Sequence, residues 1–169
     1  MHKKFSEEDV SIINNILKPY ISSDVVNKMK CFLQHRTVTT FDHCLNVVCI
    51  SYIISKFLTH LGFHINISML LIGALLHDLY LYDWHTGRIR KEGIHGFSHP
   101  LIAKRNANKY FKLTDKTLNI IESHMFPLTL THVPKSIEAF IVGISDKYCA
   151  IFETLFKQTL YTKKGFLLL

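Results

Sequence analysis

From Ile67 to Leu76 the chain reads Ile-Ser-Met-Leu-Leu-Ile-Gly-Ala-Leu-Leu, and the next two residues are His77 and Asp78. A run this apolar has no polar face at either the helical or the strand period, so it belongs at the centre of a core. It is too short to span a bilayer. An imidazole and a carboxylate side by side at its end are costly to bury unless something satisfies both. A transition-metal ion does so, because neutral imidazole and carboxylate are both good ligands. A helix cap at His77 with a turn opening at Asp78 explains the dipeptide equally well, and the rest of the chain has to decide.

Helical patterns stand on both sides. Ser6 followed by Glu7, Glu8 and Asp9 is a capped start with acids in the first turn. Val10, Ile12, Ile13, Ile16 and Leu17 follow at helical spacing, and Pro19 is expected to end the helix. Ser22-Ser23-Asp24 opens a short helix carrying Val25, Val26, Met29 and Phe32. Thr39 or Thr40 caps a helix expected from about Phe41 to His60, and the central helix is expected over about 66–79. Ser98 is expected to cap the next helix, with Pro100 in its first turn. Thr114-Asp115 starts another that reaches His124. Ser136 opens the last, whose apolar positions include Ile137, Phe140, Ile141, Ile144, Tyr148, Ile151, Phe152 and Leu155. No strand pattern stands out. The expectation is an all-α bundle of about six to eight helices. Residues 1–34 form a helical extension packed on it, and 35–169 form the core with an apolar C-terminal tail at Gly165–Leu169. That tail packs back on the bundle or meets a neighbour, and a homodimer is one partner expected.

The formal net charge is +7, but lysine and arginine are scattered apart from Arg88-Ile89-Arg90-Lys91. Duplex nucleic acid usually demands a continuous basic stripe, so this pattern suits an anionic small molecule or a generally basic surface and is weak evidence for nucleic acid. The four cysteines lack a CxxC pair, and the charged N-terminus lacks an apolar signal core. Both suit a cytoplasmic protein without a membrane partner.

Further ligand-type residues sit where a core or a helix end should be. His43 lies in the first turn of its helix; taken alone it reads as an exposed histidine, and otherwise as a neutral, metal-bound imidazole, which that position tolerates better than a charged one. Asp146 lies inside an apolar helical stretch and needs a cation, either Lys147 or a metal. Residues 80–97 show no sustained helical period and concentrate two tyrosines, the only tryptophan, two histidines, basic residues and three glycines. Loops of this kind often form lids or binding surfaces.

In chain order, His43, His77-Asp78, His99, His124 and Asp146 resemble the HD-domain superfamily of metal-dependent phosphohydrolases, specifically its two-metal H…HD…H…H…D branch. The segments around His77–His85, His95–Pro100, His124–Leu128 and Asp146–Cys149 look like a small, mainly bacterial subgroup of it. The resemblance covers about residues 35–155. It implies that His43, His77, Asp78 and Asp146 hold one metal, with Asp78 bridging to a second held by His99 and His124. The implied cofactors are two divalent transition-metal ions, iron or manganese first, with zinc, nickel or cobalt as alternatives. The implied reaction is hydrolysis of a nucleotide-type phosphate monoester or phosphodiester by a metal-bridging hydroxide. The same ligand order also serves mixed-valent diiron oxygenases, and a non-catalytic nucleotide-binding module is a third reading. Cyclic di-GMP-type members carry a lysine where this chain has Leu81, and their GYP triplet is absent here. On this resemblance Asp78, Lys147 and His95 are the catalytic candidates, with Asp83, His85 and His132 as other proton donors. Trp84, Arg88, Lys91, Lys104 and Lys147 are the substrate-binding candidates. His35 reads as an ordinary surface residue.

Overall fold

The Ser6 hydroxyl accepts a hydrogen bond from the Asp9 amide and the Asp9 carboxylate accepts one from the Ser6 amide, which closes both orphan donors of helix α1 (Glu7–Ile21). The helix runs through Pro19 for two more residues, because a proline in the last turn forfeits only one backbone donor. A short helix α2 (Asp24–Asn27) and a 3₁₀ turn at Lys28–Cys31 lead into an antiparallel hairpin, β1 (Leu33–His35) and β2 (Val38–Thr39). This hairpin corrects the reading of no strands. Its strands are too short for an alternating pattern to stand out. Helices α3 (Thr40–His60), α4 (Ile67–Leu76), α5 (His95–Phe111), α6 (Asp115–Ser123) and α7 (Ile137–Phe156) follow. This computed structural model describes residues 5–35, 37–86 and 93–156, and among them the fold is all-α in class, with seven α-helices. Arg88, Arg90, Lys91 and the apolar tail lie outside the described residues.

Side chains of Thr39, Asn66 and Thr114 accept from the amides of Asp42, Met69 and Thr117 and so cap α3, α4 and α6. Helix α5 starts earlier than expected, at His95. Ser98 therefore lies inside it and donates to the Ile94 carbonyl instead of capping.

The apolar run becomes α4 and packs against α1, α3, α6 and α7. Leu70, Leu71, Ala74, Leu75 and Leu76 are wholly buried. Gly73 lets α6 come close, since a Cβ there would stand 2.5 Å from the Ile120 Cγ2. Helix α4 stops at Leu76, so His77 caps its C-terminal end and Asp78 begins the turn beyond. Helix α3 has the length and hydropathy of a membrane span, but 56% of that window is buried within the bundle. Apolar positions of α7 divide between two faces: Ala139, Ile141, Val142 and Cys149 are buried, while Phe140, Ile144, Tyr148, Ile151 and Leu155 are exposed.

Candidate metal centre

Five helices converge on one buried point. His43 comes from the first turn of α3, His77 and Asp78 from the end of α4, and His99 from α5. His124 caps the end of α6 and Asp146 comes from mid-α7. None of the six is more than 7% exposed.

Each imidazole is held the same way. His43 Nδ1 lies 2.9 Å from the Glu153 carboxylate. His77 Nδ1 lies 2.8 Å from the Ala74 carbonyl, His99 Nδ1 2.7 Å from that of His95, and His124 Nδ1 2.6 Å from that of Ile121. In the neutral ring an oxygen acceptor at Nδ1 fixes the proton there and leaves Nε2 as a lone pair. All four Nε2 atoms point to the common centre.

Asp78 divides its two oxygens between two pairs of rings. Oδ2 faces His77 Nε2 at 3.4 Å and His43 Nε2 at 3.9 Å, whereas Oδ1 faces His99 Nε2 at 3.3 Å and His124 Nε2 at 3.6 Å. Asp146 Oδ1 joins the first pair, 3.1 Å from His43 and 3.7 Å from His77. Several of these separations are long for hydrogen bonds. They match two donors of one ion, since donors about 2.0–2.1 Å from a tetrahedral centre stand about 3.3 Å apart. His77 Nε2 and Asp78 Oδ1 are buried without any hydrogen-bond partner. Orphaned donors and acceptors of this kind are what a cation satisfies. The residues therefore fit a divalent metal, and both His43–His77–Asp146 and His77–Asp78–His124 are compact enough to hold one.

The electrostatics agree. Burial opposes ionisation of Asp78 and Asp146, but the surrounding imidazoles outweigh it and hold both carboxyls below the usual range. Burial likewise disfavours a charged His43, yet Asp146 and Glu153 raise its pKa to about 10. Burial, with His77 and His99 nearby, lowers His124 to about 3 and keeps it neutral. Burial disfavours a charged His77 too, but Asp78 beside it raises its pKa well above the usual value, and a cation at the centre would take the place of these protons.

Three supporting residues were not evident in the sequence. Glu153, fully buried two turns along α7 from Asp146, accepts from both His43 and Asn46. Gln34 on β1 donates to Asp78 Oδ2 at 2.6 Å and accepts from the Tyr80 hydroxyl. His35, read as a surface residue, instead packs its ring 5.3 Å from that of His43 and lines the site.

A cavity of about 610 Å³ opens onto Asp78, His99, His124 and Asp146. Its wall includes Trp84, His95, Met125, Pro127, Leu128 and Lys147. Lys147 does not pair with Asp146: its ammonium donates to the carbonyls of His124 and Gly143 at 2.8 and 3.1 Å. Trp84 stacks between His85 and His95 with ring centroids 4.0 and 4.9 Å away, and His95 stacks on His99 at 4.5 Å. Trp84, a substrate-binding candidate, thus lies on the cavity wall packed against two imidazoles. Asp83 and His85 interact with each other at 3.2 Å. Lys104 pairs with Glu122 and lines a separate cavity between α4, α5 and α6. The substrate-binding candidates Arg88 and Lys91 lie outside the described residues.

The family model described as HD domain matches residues 40–151. No curated protein and no solved structure matches the chain.

Proposed function

This chain belongs to the HD-domain superfamily of metal-dependent phosphohydrolases, and on that footing we propose that it hydrolyses a nucleotide-type phosphate ester, monoester or diester, at a two-ion centre. The observation that supports the two-ion reading is the division of Asp78, one oxygen toward His43 and His77, the other toward His99 and His124. His43, His77, Asp78 and Asp146 would hold one ion, and Asp78, His99 and His124 the other. Four imidazoles with two carboxylates favour iron or manganese over magnesium.

When bound, such ions supply Lewis acidity and a water of lowered pKa. The chain supplies position and exclusion of water. Glu153 and the three carbonyls fix each ring in the tautomer that presents Nε2, and Gln34 fixes the carboxylate plane of Asp78. Lys147 braces the His124 carbonyl from the cavity wall. His95 lines the same cavity with Nδ1 held 2.9 Å from the Tyr82 hydroxyl, and we assign it the proton delivered to the departing oxygen.

Elemental analysis of protein purified without chelators or a metal-binding tag tests this reading first. Close to two transition-metal ions per chain, with metal-dependent release of phosphate or of a nucleoside monophosphate in a substrate screen, supports it. One ion argues for a mononuclear site, and an iron-specific, oxygen-consuming reaction argues for an oxygenase. No bound metal after reconstitution overturns it.

A further inference from the structure

Helix α7 turns one face to the candidate centre and the other to water. Ser145, Asp146, Cys149 and Glu153 are buried. Phe140, Ile144, Tyr148, Ile151, Leu155 and Phe156 stand outward, each 49% to 68% exposed. Thr154 is the one polar residue among the exposed positions of this helix, and no charged side chain joins them. A helix bordered by water ordinarily carries its charged residues on that side. Taking roughly 200 Å² for each large side chain fully exposed, the five residues from Phe140 to Leu155 that share one face present about 500–600 Å², at the top of the range for the largest apolar patch of an ordinary monomer.

The stripe also has an internal order. About Tyr148 the sequence nearly mirrors itself, with Ile144 and Ile151 one turn away on either side, then Phe140 and Leu155 two turns away. The steps from Ile144 through Tyr148 and Ile151 to Leu155 are four, three and four residues, the seam spacing of helices packed side by side. A face that reads alike in both directions complements its own copy when the two run antiparallel, as a two-fold axis requires. Two copies would bury on the order of 1,000–1,200 Å², enough to clear the threshold of about 1,000 Å² for a specific interface. A membrane surface fits less well, because interfacial helices carry basic residues along their flanks. The single lysine of α7, Lys147, is bonded to two carbonyls.

We propose that the outward face of α7 is a homodimer interface, with α7 packed antiparallel against α7 of a second copy about a two-fold axis at Tyr148. The helix that carries Asp146 and Glu153 is then clamped from both sides.

Sedimentation velocity of the full chain over a concentration series is the test. A dimer is expected, and Ile144→Glu with Ile151→Glu should weaken it about 100-fold or more by facing unpaired charges across a dry seam, with an unchanged circular-dichroism spectrum. In a Cys31→Ser background, Tyr148→Cys should cross-link to itself under mild oxidation. Phe140→Cys should cross-link with Leu155→Cys but not with itself. These cysteine variants decide the matter should the double-glutamate chain fail to fold. A wild-type chain that stays monomeric overturns the proposal, including one that sediments with anionic vesicles or whose own C-terminal residues cover the stripe. A dimer that persists in the folded double-glutamate variant, or self-linking at Phe140→Cys without it at Tyr148→Cys, also overturns it.

Discussion

The Nε2 atoms of His99 and His124 face each other at 2.9 Å while a carbonyl oxygen engages the Nδ1 of each ring. With both protons on Nδ1, two lone pairs meet, an arrangement that a shared cation relieves. The Asp78 Oδ1 beside them has no hydrogen-bond partner.

His124→Ala should therefore remove one ion and spare the other, because His43, His77 and Asp146 remain. Metal content is expected to fall from two ions toward one, and turnover by about 10²–10³-fold. Elemental analysis and phosphate release on the same preparation check both.

Glu153→Gln keeps a hydrogen-bond acceptor for His43 but removes its charge. Loss of such a supporting carboxylate typically weakens metal affinity about 10–100-fold. Competition with a metal-chelating dye should show that loss without a change in circular dichroism. Gln34→Ala should act on the other side of the centre, by freeing the carboxylate plane of Asp78 and leaving the Tyr80 hydroxyl short of a partner.

The residues alone pointed to His77-Asp78 and Asp146, and the six candidate ligands could be named together only because their order resembles the H…HD…H…H…D pattern of the HD-domain superfamily. Their supporters were not conspicuous. Glu153 sits on an amphipathic helix, where a glutamate is commonplace, although its seven-residue offset from Asp146 places both on one face. Gln34 and His35 reach the centre only through a hairpin too short to leave a pattern. The outward face of α7 was hidden for a different reason: the helix is apolar on both sides, and periodicity cannot say which side meets the bundle.

Gly73→Ala should cost about 1–3 kcal/mol, since the new methyl overlaps the Ile120 side chain where α4 and α6 meet. Urea denaturation of Gly73→Ala with and without Ile120→Ala measures it. The double variant should recover part of the loss if the clash is the cause.

Asp9 gives a pH signature. Burial alone would raise its pKa, but Lys56, the Ser6 amide and hydroxyl, and Tyr52 lower it to about 2. Its stabilisation is thus complete above the unfolded value near 3.8 and fades as pH falls toward 2. Asp9→Asn should cost about 1 kcal/mol at neutral pH, and the gap from wild type should close below about pH 2. Thermal melts across that range check the convergence.

The ring ladder from His85 through Trp84 and His95 to His99 ends on a candidate ligand, and it contains the chain's only tryptophan. Indole emission is sensitive to the protonation of a stacked imidazole and to the absorption bands of a nearby transition ion. The molecule accordingly carries one indole, two stacking steps from its proposed reaction centre. No other indole emits in the background, so the loading of that centre can be followed by light in the unlabelled protein.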